Sequence, residues 1–170
     1  MTEATGEPSD GEALWRFSLA FYARPGVAEA LIALQDRAGC DVNLMLFSLW
    51  VGVSGRGWLT KEELAIADQI ARPMSADIVE PLRMLRRKLR SDPDADVQRL
   101  REGIKALELA AEKVIQHRLG CTARPAFGDG DPAARTAAAC ANLGFYLGPK
   151  MARSSEAATI AKALEVFLRV

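Results

Sequence analysis

The stretch from Gly39 to Trp50, G-C-D-V-N-L-M-L-F-S-L-W, constrains this chain more than any other. It is the most continuously apolar segment of the sequence, yet Asp41 and Asn43 stand at its head. A run this short cannot cross a bilayer, which takes about 20 apolar residues of helix. A helix that is apolar on every side has to be buried on every side. The chain is therefore expected to wrap other helices around this one, with Asp41 as its N-cap and its end near Val53.

The rest of the sequence supplies those helices. Asp10 and Glu12 suit the start of a first helix carrying Leu14, Trp15, Leu19 and Tyr22, after a disordered tail over residues 1–9. Pro25 suits the first position of a second helix, whose stripe is Val27, Ala30, Leu31 and Leu34 and whose stop is Gly39. After the breaker Ser54 to Gly57, Thr60-Lys61-Glu62-Glu63 has the spacing of a capping box. This fourth helix is expected to end near Arg72-Pro73. A fifth should begin around Ser75 and reach about Arg90, with a kink at Pro81 or a restart at Glu80.

Asp92-Pro93-Asp94 precedes the longest element, expected from Ala95 to Leu119 and closed by Gly120. Its Val97, Leu100, Ile104, Leu107, Ala111 and Val114 alternate steps of three and four, the spacing of a coiled-coil seam. Asp131-Pro132 opens an alanine-rich helix to Leu147, ended by Gly148-Pro149. Ser154 or Ser155 caps a last helix that turns Ile160, Leu164, Phe167 and Leu168 inward. Aromatics make up only 6% and no strand pattern is present. The predicted fold is all-α, a single-domain bundle or orthogonal array of about seven to eight helices over residues 10–170.

Charge and cysteine usage remove several function classes. The 22 basic and 22 acidic residues cancel, leaving no global field to hold nucleic acid or an anionic membrane, and neither is expected as a partner. Cys40, Cys121 and Cys140 are far apart and lack zinc-ligand spacing, which suits a reducing cytoplasm. The opening residues have no basic and apolar secretory pattern, so a cytoplasmic location is expected. Phosphate-loop, dinucleotide and H-E-x-x-H motifs are absent; no catalytic residue, cofactor or metal is assigned. His117 suits the end of the long helix as a dipole partner.

Three segments together carry a family resemblance: W-R-F-S-L-A-F-Y-A-R-P-G-V from Trp15, L-Q-D-R-A-G-C-D-V-N-L-M-L-F-S-L-W from Leu34, and V-E-P-L-R-M-L-R-R-K-L-R from Val79. Over roughly residues 12–120 the chain resembles a bacterial family of uncharacterised proteins. The resemblance implies a small, cytoplasmic, mostly helical protein with no established activity, and offers no catalytic residues to carry over.

Two polar clusters and one aromatic are the candidates for function. Asp36, Asp41 and Asn43 gather where the second helix ends and the buried one begins, so a polar pocket could open there. Arg83, Arg86, Arg87 and Arg90 stand at i, i+3, i+4 and i+7 on one helix face. Guanidinium forks of this kind grip carboxylates and phosphates. Trp58, between Gly57 and Leu59 in a loop, is either a cover for the core or an exposed partner anchor. The leading expectation is a non-enzymatic protein-interaction or regulatory module contacting its partner through Trp58, Arg86 and Arg90; a self-associating bundle would instead use the seam over residues 97–114. The alternative is a binder of a small anionic molecule, or an enzyme of unrecognised type, built on Asp36, Asp41, Asn43, Arg83 and Arg87.

Overall fold

A computed structural model describes residues 9–128 and 130–169. Within them the helices are α1 Asp10–Tyr22, α2 Val27–Ala38, α3 Val42–Val53, α4 Lys61–Met74, α5 Glu80–Lys88, α6 Ala95–Thr122, α7 Pro132–Met151 and α8 Ser155–Phe167. A π-helical segment, Ser75–Val79, joins α4 to α5 without a break. Among the described residues the fold is all-α, as expected. Residues 1–8 of the expected tail, and Asp129, lie outside the described residues.

The apolar stretch is the centre of the molecule. Every residue from Asn43 to Val53 is buried, and α3 touches α1, α2, α4, α6 and α7. Each large apolar side chain buried this way is worth roughly 1.5–3 kcal/mol, so α3 is the main contributor to the core. Its most extensive neighbour is α7, and the reason is Gly52. A Cβ there would fall 2.2 Å from the backbone nitrogen of Ala139, so only glycine lets the two helix backbones meet. No single helix among the described residues is long and apolar enough to cross a membrane. The α1–α2 pair, apolar enough in sum, is bent by 102°.

Several local signals act as expected. Asp41 caps α3 by accepting the Asn43 N–H at 2.7 Å. Thr60 and Glu63 exchange both capping-box bonds, at 3.1 and 2.8 Å. Gly39 ends α2 in the left-handed conformation, with φ 66°. Gly148, at φ 74°, breaks α7 just before Pro149, and Ser154 caps α8.

Other boundaries shift, each for a physical reason. Ser9, not Asp10, caps α1, leaving Asp10 to pair with the buried Arg56. Pro25 stands before Gly26, whose left-handed backbone serves as the N-cap of α2. The expected stop at Arg72-Pro73 does not occur. Pro73 and Pro81 each lack an N–H and crowd the carbonyl four residues back. The wider π turn between them absorbs that misfit and lets one continuous rod run from α4 into α5. The restart at Glu80 falls where α5 begins.

The long helix departs most from expectation. Gly120 does not close α6; it lies inside it, where a Cβ would fall 2.6 Å from the backbone of Asp10 and Gly11. It is the contact point between α6 and α1. The expected seam also splits: Leu100 and Leu107 are 58% and 60% exposed. The buried face of α6 instead carries Glu108, Ile115, Gln116, Leu119 and Gly120. A polar stripe can be buried there only because α5 brings the arginines that pair with it.

Candidate functional site

A cavity of about 430 Å³ opens between α1, α3, α5 and α6, beside the head of the central helix. Its size is that of an ordinary small-molecule site, about 300–1,000 Å³. Helical spacing explains each wall. Trp15, Ser18, Leu19 and Tyr22 stand at i, i+3, i+4 and i+7 on α1, facing Val42, Asn43 and Leu46 of α3. Arg83 and Arg86 project from successive turns of α5, and Glu108, Glu112 and Gln116 step down α6 at intervals of four.

The charged wall is an interlocked network. Arg83 Nε donates to Glu108 at 3.0 Å, Nη2 to Glu112 at 3.1 Å and Nη1 to Glu80 at 3.4 Å. Arg86 forks onto Glu108 with Nε at 2.6 Å and Nη2 at 3.2 Å. Glu108 and Arg83 are only 6% and 8% exposed. Burial alone would raise the Glu108 carboxyl, but the hydrogen bonds from Arg86 and Arg83 together hold it below its ordinary value. Glu112 has one guanidinium contact and two acidic neighbours. Burial, helped by the charges of Glu108 and Asp41, outweighs Arg83 and pushes it up to about 7. Across the cavity the Tyr22 hydroxyl is also raised, by burial first and then by Glu112 and Glu108.

The neutral wall holds two unfinished groups. Gln116 Nε2 donates to Asn43 Oδ1 at 3.0 Å, yet Gln116 Oε1 is buried without a partner. Ser18 Oγ is in the same position. Both residues are only 3% exposed. Buried polar atoms are nearly always hydrogen-bonded, and both exceptions belong to residues that line this cavity.

The residues singled out from sequence fall into different places. Asn43 and Arg83 line the cavity, as does Arg86. Asp41 lies outside that lining: besides capping α3 it accepts from Ser75 Oγ at 2.5 Å, while its N–H donates to the Tyr146 hydroxyl at 2.7 Å. Its position fastens α3 to the π segment and to α7. Asp36 and Arg87 pair with each other at 3.2 Å on the surface, both half exposed. Arg90 is exposed, so the arginine stripe divides into an inner pair and an outer pair. Trp58 is 68% exposed and Phe127 is 77% exposed; both border a shallow groove lined largely by glycines. His117 sits at the α1–α6 contact beside Gly11.

Ser18, Tyr22, Glu108, Glu112 and Gln116 were not singled out from sequence. The available signal was the E-x-x-x-E-x-x-x-Q spacing from Glu108, a polar stripe that shares α6 with the apolar seam. That spacing is also common on solvated helices, and only the arrival of Arg83 and Arg86 distinguishes this one.

No curated protein and no solved structure matches the chain. A family model described as "Protein of unknown function (DUF2390)" matches residues 13–119, more than half of the chain and the whole span, Trp15 to Gln116, that lines the cavity. The match agrees with the resemblance over residues 12–120. The chain belongs to the DUF2390 family of proteins of unknown function.

Proposed function

We propose that this protein is a small-molecule-binding module whose site is the cavity between α1, α3, α5 and α6. One observation carries the reading: two polar atoms, Ser18 Oγ and Gln116 Oε1, are buried without partners in residues that line the same cavity. Each unpartnered atom costs about 1–3 kcal/mol of desolvation, which a bound molecule would recover by moving aside the side chains that cover the two atoms. The surrounding Trp15, Leu19, Val42 and Leu46 suit an apolar body. The test is a small-molecule library screened by thermal shift, followed by NMR of the hits. Ligands should move the Trp15 indole and Gln116 side-chain amide signals. Hits that perturb only residues outside the cavity would overturn the reading.

A second reading, a protein-interaction module, is favoured by the exposed pair Trp58 and Phe127. Arg124 steadies this corner: it donates to the backbone carbonyls of Arg56 and Trp58, and its guanidinium lies 5.5 Å from the centre of the Phe127 ring. A Trp58→Ser, Phe127→Ser variant should lose partners that the wild-type chain retains from lysate. Identical retained sets would count against it. Self-association through exposed Leu100 and Leu107 belongs to the same reading, and light scattering at rising concentration tests it. A cytoplasmic location is supported by three free cysteines, and by nothing more specific.

A further inference from the structure

The cavity has an apolar mouth and a cationic edge, and together they define the ligand it would hold; this step rests on reading the cavity as a binding site. Leu19, Tyr22, Ile32 and Leu109 all line it and are all exposed. Apolar side chains gathered in the open around a cavity mark a place that receives an apolar surface. Trp15 and Leu46, both buried, continue that surface inward.

The charges of the lining are not in balance. Arg83, Arg86 and Lys105 stand against Glu108 and Glu112. Glu108 is saturated: its two oxygens accept from Arg83 Nε and from Arg86 Nε and Nη2. Arg83 is committed too, with all three nitrogens directed at carboxylates. The donors to spare are on the other two cations. Arg86 Nη1 makes no hydrogen bond among the described residues, and the Lys105 ammonium lies 3.8 Å from Glu102, too far for one.

These two cations share one edge. Arg86 holds Glu108, and Lys105 precedes Glu108 by three residues, a neighbour on the same face of α6. Lys105 is exposed, which puts its ammonium at the mouth. Glu112 stands seven residues further along α6, roughly 10 Å away at 1.5 Å per residue. Glu80 and Glu102, the outer partners of Arg83 and Lys105, lie outside the lining and in the open, where solvent and salt screen them.

We propose that the cavity takes a monocarboxylate on an apolar body. The carboxylate sits at the mouth with Arg86 Nη1 and the Lys105 ammonium. The body passes Leu19 and Leu109 and lies against Trp15 and Leu46. A guanidinium edge beside an ammonium suits a planar, singly charged carboxylate, and one surplus positive charge matches one negative head.

The experiment uses the intact chain and three probes of one shape: 4-phenylbutyrate, 4-phenylbutan-1-ol and 4-phenylbutylamine, titrated by calorimetry at pH 8 and low salt. The carboxylate is expected to bind at least fivefold more tightly than the alcohol, with the amine weakest. Lys105→Glu, checked for folding by circular dichroism, reverses one charge at an exposed position. It should abolish the preference for the carboxylate and leave the alcohol unchanged. Equal or tighter binding of the alcohol or the amine, or a carboxylate affinity indifferent to Lys105→Glu, overturns the ligand class. In that event the cavity itself is judged by Ala23→Trp, a substitution at its exposed rim that should block entry. Weakened binding of any probe by Ala23→Trp keeps the cavity reading while the carboxylate falls. If no probe binds, or if Ala23→Trp leaves all binding unchanged, both readings fall together.

Discussion

Replacing Glu112 by glutamine should change how the stability of this protein depends on pH. In the folded chain burial and the neighbouring carboxylates push Glu112 up to about 7, against an ordinary value of 4.5. Between those two values the folded state holds a proton that the unfolded chain has released. Stability therefore falls as pH rises from about 4.5 to about 7, then levels off. At about 1.4 kcal/mol per pH unit the full loss is about 3 kcal/mol, with roughly 2.5 kcal/mol of it between pH 5 and pH 8. Glutamine keeps the shape and cannot ionise, so that part of the slope should vanish. Glu108 works in the opposite sense: its lowered value gives stability above the ordinary carboxylate range that is lost as pH falls. Tyr22, raised on the far wall, titrates well above this window. Both remain in the variant, so the difference between the two proteins isolates Glu112. Urea unfolding from pH 5 to pH 8 gives the measurement. Curves for the two proteins that stay parallel to within about 1 kcal/mol would refute the account of Glu112 as an undercompensated buried acid.

Three further outcomes are expected. Arg83→Ala strips the main partner from Glu112 and one of two from Glu108, and should cost about 3–5 kcal/mol by urea unfolding. Arg87→Ala removes only a half-exposed pair and should change stability by less than about 1 kcal/mol; comparable losses in both would contradict the division of the stripe. Asp41→Ala should lower stability by about 1–2 kcal/mol through loss of the α3 cap, while cavity ligands still protect the fold against heat.

The elements legible in the sequence are those whose cause is local. A segment such as Leu44 to Trp50, apolar on all sides, has only one stable place, and α3 occupies it. Caps and stops depend on atoms a few residues apart, which is why Asp41, Thr60 with Glu63, Gly39 and Ser154 act as expected. A smaller part of the site was visible in the same way, because Asn43 follows a cap and Arg83 and Arg86 follow a helical period. Tertiary structure decided the rest. Gly120 reads locally as a helix stop, but it becomes the point where α1 and α6 touch backbone to backbone. Pro73 reads as an end, yet packing on α6 holds the rod together through a π turn. The apolar seam of α6 lost to a stripe containing Glu108 and Gln116, since a carboxylate can enter the interior when two guanidiniums meet it there. Those arginines are more than 20 residues away in the chain, and no local pattern states that they will arrive. The sequence by itself determined which segments are helices and which one is central. The face each long helix turns inward, and with it the cavity, depended on pairings between distant charges that exist only once the helices have packed.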